Sequence, residues 1–156
     1  QFNNKKPQVM KKLILILTAI LLSVGVAYAD KYTLKRENLP QQAREMLDEY
    51  FPKAKVAMIK VDKHLLKKTD YDVKLVNGTK IEFNNAGRWT SIDCRDRAVP
   101  DAIIPRAIRK YVTKNFEGVK ITEIERKLKG FEIELDNGLE LTFDTFGNFK
   151  SMNMDK

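Results

Sequence analysis

Few side chains in this sequence could carry out nucleophilic or metal chemistry. Cys94 is the single cysteine and His64 the single histidine among 156 residues, and they lie in unrelated parts of the chain. A cysteine nucleophile needs a base beside it, and a zinc site needs several Cys or His ligands at close spacing. We therefore predict a protein that is not an enzyme and that holds neither a metal ion nor another cofactor.

The role of Cys94 is open at this level. It lies between Asp93 and Arg95, and nearby arginines can lower the pKa of a thiol and make it reactive. A single cysteine cannot form a disulfide within the chain. We expect either a free thiol, buried or reactive, or a link between two molecules.

Acidic residues offer a second kind of chemistry, the binding of calcium. Four oxygen-bearing side chains could be imagined around such an ion, namely Asp70, Asp72, Asp144 and Asn148. Their spacing matches no EF-hand loop. We therefore expect them to be solvent-exposed hairpin residues.

The first 29 residues have the pattern of an export signal. Two lysines precede an apolar run over residues 13–26, and Ala27 and Ala29 place small residues where a signal peptidase cleaves. The run has 14 residues, fewer than the roughly 18 that a permanent membrane anchor needs. We predict cleavage after Ala29 and a chain that is periplasmic or secreted. We interpret residues 1–9 as upstream sequence or as the result of a start-site error.

Removal of this segment changes the charge of the chain. The whole sequence has a formal net charge of +8, and residues 1–29 contain four lysines and no acidic residue, so the mature chain would carry +4. The remaining charges alternate in sign and form no basic block. This pattern argues against a nucleic-acid partner.

The rest of the chain contains an internal repeat. Residues 71–93 align with residues 131–153 at an offset of 60, with identities at Leu75/Leu135, Asn77/Asn137, Gly78/Gly138, Phe83/Phe143, Gly87/Gly147 and Ser91/Ser151. The preceding segments align at an offset of 65, which pairs Pro40 with Pro105. We predict repeat 1 at residues 30–98, with five extra residues, and repeat 2 at residues 99–156.

Each repeat opens with the apolar spacing of an amphipathic helix. In repeat 1 the stripe consists of Ala43, Met46, Leu47, Tyr50 and Phe51, and in repeat 2 of Ile108, Tyr111, Val112 and Phe116. Pro40 and Pro105 precede these stripes. Each helix needs an apolar surface to cover, which the strands that follow can supply.

The length of the turns follows from which residues must share a face. A three-residue loop that ends in Gly78 places Val73 opposite Ile81 and Tyr71 opposite Phe83, which keeps apolar residues together. A two-residue turn would place charged and apolar residues on the same face. We therefore predict three-residue loops with a left-handed glycine.

Applied to both repeats, this loop predicts two cross-strand aromatic rows, Tyr71, Phe83 and Trp89, and Phe131, Phe143 and Phe149. We predict one further strand before these hairpins in each repeat, near residues 56–62 in repeat 1 and near residues 121–127 in repeat 2. Each repeat then has four strands. The predicted fold class is α+β, with two tandem repeats, each a helix packed on a four-stranded antiparallel sheet.

At this point the sequence resembles the exported PepSY-like proteins, whose fold is similar to that of the tandem-repeat beta-lactamase inhibitor proteins. The resemblance runs from Tyr32 to the C terminus and rests on Leu39-Pro40, Tyr50-Phe51-Pro52, Asn77-Gly78 and Gly87. Repeat 2 echoes these motifs except at Pro52, where it has Glu117. The resemblance implies a secreted binding or inhibitory module and supplies no catalytic residues.

The predicted register also defines a charged face turned away from the helices. Its candidate partner-binding residues are Asp72, Lys74, Lys80, Glu82 and Arg88 in repeat 1 and Glu132, Glu134 and Glu140 in repeat 2. Two like-charge pairs, Lys74 with Lys80 and Glu134 with Glu140, would each cost a fraction of about 1 kcal/mol unless compensated. Either neighbouring strands supply counter-charges, or the face binds a partner with one basic and one acidic half.

The sequence therefore predicts an exported, non-catalytic binding module with a protein partner in the envelope or outside the cell. Inhibition of an extracytoplasmic hydrolase is the finer hypothesis. We expect no nucleic-acid partner and no stable membrane insertion after cleavage. The alternative is a membrane-anchored or envelope-associated structural protein that retains its N-terminal apolar helix. The oligomeric state does not follow from the sequence.

Overall fold

Strands that follow one another in the chain are neighbours in the fold. The computed structural model describes residues 31–62 and 70–154, and in these ranges the strand order is β1 to β9 in one antiparallel sheet. The strands are β1 Lys31–Thr33, β2 Val56–Asp62, β3 Asp70–Leu75, β4 Lys80–Phe83, β5 Trp89–Asp93, β6 Ile121–Lys127, β7 Gly130–Leu135, β8 Leu139–Asp144 and β9 Phe149–Met154. The predicted export signal and His64 lie outside the described residues.

Two helices precede the main strands of the two repeats, as the apolar stripes predict. Helix α1 spans Gln41–Tyr50 and begins after Pro40, and helix α2 spans Arg106–Asn115 and begins after Pro105. A short 3-10 helix, Arg36–Asn38, lies before α1. Within the described ranges, no helix is long and apolar enough to cross a membrane.

The helices bury the residues that the sequence places on their apolar stripes. In α1 these are Ala43, Met46 and Leu47, and in α2 they are Ile108 and Val112. Phe51 ends the first helix and is 9% exposed. The predicted helices are therefore confirmed in position and in orientation.

The sheet differs from the expected pair of four-stranded sheets. β5, the last strand of repeat 1, pairs with β6, the first strand of repeat 2, through Ser91 opposite Glu125, Ile92 opposite Ile124 and Asp93 opposite Glu123. The prediction of two separate sheets was wrong on this point, because the repeat shows which strands each copy contains and not which edges meet. β1 adds one further short strand beside β2.

The three-residue loops are confirmed in all four hairpins that the repeat predicts. Tyr71 faces Phe83, Val73 faces Ile81, and Phe131 faces Phe143. The glycines that end these loops have φ angles between +79° and +90°, namely Gly78, Gly87, Gly138 and Gly147. Glycine has no Cβ and therefore adopts this left-handed conformation at little cost.

One apolar row crosses eight of the nine strands, from β2 to β9, and forms the centre of the core. Its members face one another in succession, namely Ile59, Val73, Ile81, Ile92, Ile124, Ile133, Leu141 and Met152. The members from Ile59 to Leu141 are at most 1% exposed. Residues of both helices belong to the same buried cluster as this row, so the two repeats share a single core.

The aromatic rows lie on the same side of the sheet but are not buried throughout. Phe83 and Phe143 are each 1% exposed, whereas Phe149 is 36% exposed. Phe149 stacks on Tyr111 of α2, with ring centroids 4.8 Å apart. The row of repeat 2 therefore ends at a partly open edge.

We expect Gly87→Ala to destabilise the protein more than Gly78→Ala. Both glycines have positive φ, so each substitution strains the backbone by about 1 kcal/mol. A Cβ on Gly87 would also lie 2.8 Å from Cβ of Pro40 and 2.9 Å from the backbone N of Ala43, whereas one on Gly78 would meet only the end of the Arg95 side chain at 3.9 Å. Denaturant unfolding of both variants measures the difference, and equal losses would contradict a close contact between this turn and α1.

The core assignment gives a second expectation. Phe83→Ala should lower the free energy of unfolding by about 3–4 kcal/mol, because it removes a fully buried ring. Phe149→Ala, the same change at a partly exposed position of the equivalent row, should cost clearly less. Urea titrations of the two variants test this order, and a small loss for Phe83→Ala would show that the faces of the sheet were assigned wrongly.

Candidate functional site

The face of the sheet that the helices leave uncovered carries two rows of mainly charged residues. The first row runs from β3 to β8 through Lys74, Lys80, Asp93, Glu123, Glu134 and Glu140. The second runs from β2 to β7 through Lys60, Asp72, Glu82, Ser91, Glu125 and Glu132. These two rows together are called the charged face below.

The rows form because charged and apolar residues alternate along each strand. Side chains of successive strand residues point to opposite sides of a sheet, so one side becomes the core and the other the charged face. In β7, for example, Ile133 is 1% exposed, while Glu132 and Glu134 on either side of it belong to the charged face. The same pattern that builds the core therefore places the carboxylates side by side.

The carboxylates are most crowded where the two repeats join. Glu123 of β6 faces Asp93 of β5 on one side and Glu134 of β7 on the other. Partial burial raises the pKa of Glu123 to about 7, and the negative charges of Asp93, Glu134 and Glu125 add to this effect. This carboxyl group therefore changes its charge near neutral pH.

A second crowded position lies in repeat 1. Burial, followed by the charges of Asp72, Glu125 and Asp70, raises the pKa of Glu82 above its usual range. Lys80 acts in the opposite direction but does not cancel the shift. The acidic character of the face thus extends into the half that the sequence led us to expect to be basic.

Counter-charges are present but are fewer than the carboxylates. Nζ of Lys80 lies 3.6 Å from Oδ2 of Asp93, which compensates the Lys74–Lys80 pair. Lys127 makes ion pairs with Glu125 and, at 3.2 Å, with Glu132. No cation of the described residues forms an ion pair with Glu123, Glu134 or Glu140. Such a surface favours the approach of positively charged groups.

The predicted site residues fall into these rows with one exception. Lys74, Lys80, Glu134 and Glu140 belong to the first row, and Asp72, Glu82 and Glu132 belong to the second. Both predicted like-charge pairs, Lys74 with Lys80 and Glu134 with Glu140, face each other directly. That these residues bind a partner stays a prediction.

Arg88 is the exception. It lines a cleft on the helical side together with α1 residues such as Gln42 and Glu45, so its assignment to the charged face was wrong. The reason is the turn before it, since Gly87 packs directly against the start of α1 and carries the next residue towards that helix.

Sequence reasoning missed the residues at the centre of the charged face. Asp93 and Glu123 were not among the candidates, because they become neighbours only through the β5–β6 pairing. Lys60 and Glu125 were missed because the inward face of β2 and β6 was ambiguous. The alternation of Glu123 and Glu125 with buried Ile124 is the signal that could have located Glu125.

Cys94 is a buried free thiol, 2% exposed. Burial is the main cause that raises the pKa of its thiol, although Thr79 and Arg97 act in the opposite direction. A buried, protonated thiol is a poor nucleophile and is not positioned to link two molecules. Of the alternatives that the sequence left open, the structure favours the buried thiol.

The residues considered for calcium lie far apart in the sheet order. Asp70 and Asp72 belong to β3, whereas Asp144 ends β8. Asp144 accepts hydrogen bonds from the side-chain amide and the backbone N–H of Asn148 and from the backbone N–H of Phe146, which together lower its pKa to about 2. Among the residues that the structure describes, no group of three or more His, Cys, Asp or Glu side chains is arranged to hold a metal ion.

A cleft of about 430 Å³ lies on the helical side, between α1 and residues 102–103. The guanidinium of Arg126 lies 3.8 Å from the centre of the Trp89 ring on its floor. Burial and the nearby charge of Arg88 lower the pKa of Arg126. Glu45 and Glu49 line the same cleft, so it holds charges of both signs.

The raised pKa of Glu123 predicts a dependence of stability on pH. The folded protein holds this proton up to about pH 7, whereas an unfolded chain releases it near pH 4.3. Between these values the folded state binds more protons, so the free energy of unfolding should fall as the pH rises through this window. Allowing for partial exposure of the group, we expect a loss of about 1–2 kcal/mol.

Urea unfolding at pH 5 and pH 8 measures this dependence. Glu123→Gln should reduce the difference in the free energy of unfolding between the two pH values, because it should stabilise the protein at pH 8 and not at pH 5. Glu117→Gln, at an exposed position after α2, is the matched control and should leave the dependence unchanged. If Glu123→Gln had no effect at pH 8, the crowding of carboxylates at the junction would not destabilise the fold.

The fold and the charged face can be compared with solved structures. A "putative periplasmic protein of unknown function" from Bacteroides vulgatus superposes with a TM-score of 0.76 at 46% sequence identity, over 80% of this chain and 99% of that one. A second protein, from Bacteroides thetaiotaomicron, is described as a "putative calcium-regulated periplasmic protein", with a TM-score of 0.75 and 39% identity over 80% of this chain and 96% of its own.

A third structure, of another "putative periplasmic protein" from Bacteroides vulgatus, has a TM-score of 0.75 and 38% identity over 81% of this chain and 98% of that one. No curated protein matches the chain. The family model described as "Putative beta-lactamase-inhibitor-like, PepSY-like" matches residues 69–151. With this match over more than half of its length, and with the paired helix-and-sheet repeats in place, the chain belongs to the PepSY-like, beta-lactamase-inhibitor-like family.

Proposed function

We propose that the chain is an exported, non-catalytic module that binds a protein partner through its charged face. The observation that carries this proposal is the crowding of carboxylates around Glu123, whose pKa is raised to about 7. Such crowding is unfavourable in the free protein, and a cationic group placed over it would remove the repulsion. Groups with strongly perturbed pKa values cluster at functional sites, which supports a functional role for this part of the face.

The order of charges in the first row indicates what the partner would present. The row starts with Lys74 and Lys80 on β3 and β4 and ends with Glu134 and Glu140 on β7 and β8. A complementary surface would place basic residues over the junction and repeat 2, and acidic residues over Lys74. This polarity would fix the direction in which the partner docks.

Inhibition of an extracytoplasmic hydrolase is the finer form of this proposal. It is supported by the family description, which likens these proteins to beta-lactamase inhibitors. A broad, rigid sheet that covers the entrance of an enzyme can inhibit it without any chemistry of its own. Nitrocefin hydrolysis by a panel of purified beta-lactamases, with and without the chain, tests this form directly.

Export to the periplasm is supported by the three solved relatives, each described as a "putative" periplasmic protein. The alternative proposal is a structural protein of the envelope that keeps its N-terminal apolar segment. Fractionation with N-terminal sequencing separates the two. A soluble chain that begins at Asp30 supports the exported module, and an intact membrane-bound chain supports the alternative.

Calcium enters the proposal through one relative, which is described as calcium-regulated. We propose that calcium acts on this chain by screening the carboxylates of the charged face, without a dedicated site. Ca²⁺ and Mg²⁺ at equal concentration should then weaken partner binding equally. A response to micromolar Ca²⁺ that Mg²⁺ does not reproduce would contradict screening.

We expect neutralisation of the charged face to weaken partner binding without unfolding the protein. The double variant Glu134→Gln/Glu140→Gln should lower the association rate several-fold and reduce its dependence on salt, because such charges act mainly on the encounter and are screened over about 10 Å at 0.1 M salt. Its melting temperature should not fall, since it also removes a like-charge pair. Biosensor kinetics with a partner captured from envelope extracts, at several salt concentrations, give both quantities.

The matched control is Glu49→Gln/Glu117→Gln, which changes the net charge equally on exposed residues of the helical layer. It should leave the association rate nearly unchanged. Equal effects of the two double variants would show that net charge alone matters, and the charged face would then not be the binding surface.

A further inference from the structure

The far end of the apolar row is open. Its seven members from Ile59 to Leu141 are at most 1% exposed, but the eighth, Met152 of β9, is 51% exposed. Other large apolar side chains of the last hairpin are also exposed, namely Phe146 at 83%, Phe149 at 36% and Met154 at 73%. Within residues 31–62 and 70–154, the core thus ends on an edge strand whose apolar side chains are partly exposed.

The internal repeat shows how the equivalent edge is covered in repeat 1. At the offset of 60, Phe149, Met152 and Met154 correspond to Trp89, Ile92 and Cys94. Those three residues are 9%, 0% and 2% exposed. The same strand position is therefore buried in one copy and open in the other.

The difference arises from what lies beside each strand. β5 is hydrogen-bonded to β6, and Ile92 faces Ile124 across that pair. Val99, Ile103 and Ile104 of the following segment belong to the same buried cluster. β9 pairs with β8 on one side, and nothing in the described part of the chain pairs with its other side.

The two edges of the sheet also differ in their protection. β1, at the opposite edge, has three residues, and short edge strands resist pairing with other molecules. β9 has six residues, and its single charged residue, Lys150, has its ammonium 3.5 Å from a carboxylate oxygen of Asp144. β9 is thus a long edge with little charge to oppose association.

We propose that β9 pairs with β9 of a second copy of this chain, in an antiparallel dimer with a twofold axis at this edge. Antiparallel self-pairing places residues of one face next to each other, so Met152 would contact a methionine of the partner and the apolar row would continue into the second molecule. Lys150 is the one charged residue of the strand, and its ammonium is already paired with Asp144. Charge repulsion between the two β9 strands is therefore small. The charged faces of the two copies would then lie in one extended sheet.

Sedimentation equilibrium of the exported chain over a range of concentrations tests this proposal. The expected result is a monomer–dimer equilibrium, and Met152→Lys should raise its dissociation constant at least about tenfold. Leu128→Lys is the matched control, since Leu128 is 97% exposed on the β6–β7 turn and should not affect association. Thermal melts check that both variants remain folded, which Met152 permits because its side chain is half exposed.

Hydrogen exchange supplies an independent readout. Backbone amides of β9 should become protected as the concentration of the wild-type chain rises, whereas those of β1 should not. A monomer at all accessible concentrations would overturn the proposal. A dimer that Met152→Lys leaves intact, or one without added protection in β9, would also overturn it, because association would then use another surface.

Discussion

The pairing of β5 with β6 is the interaction on which the rest of the structure depends. Three facing pairs join the repeats, and the central one sets Ile92 against Ile124, both fully buried. Without this pairing each repeat would end in an open strand, and each helix would cover a small sheet with little buried area. Domains of that size have marginal stability, whereas a shared core of about twice the area is sufficient.

The same pairing creates the electrostatic feature of the opposite face. Ile92 and Ile124 can meet in the core only if the residues next to them, Asp93 and Glu123, meet on the other side. The favourable burial of isoleucine therefore forces two carboxylates together, and Glu134 extends the crowding from the third strand. Apolar burial is worth more than the repulsion between partly solvated charges, which is why the arrangement persists.

Much of the fold could be predicted from the sequence because its signals are local. Gly78 and Gly87 fixed the loop length, the loop length fixed which residues face each other, and both helices followed from their apolar stripes. The membership of the charged face followed for Asp72, Lys74, Lys80, Glu82, Glu132, Glu134 and Glu140. What could not be predicted depends on contacts between distant residues. Asp93 and Glu123 are thirty positions apart, and Arg88 is displaced by the packing of Gly87 on α1.

The buried position of Cys94 has a consequence for how the chain must fold. Its backbone N–H donates to the carbonyl oxygen of Thr122 in repeat 2, and its side chain is 2% exposed, so the thiol is sheltered once the folded junction has formed. In the oxidising compartment proposed for this chain, an unfolded molecule exposes a single thiol that has no partner within the same chain. During folding, the pairing of β5 with β6 therefore competes with oxidation of the Cys94 thiol and with its formation of mixed disulfides. A molecule whose junction closes before its thiol meets an oxidant keeps that thiol reduced.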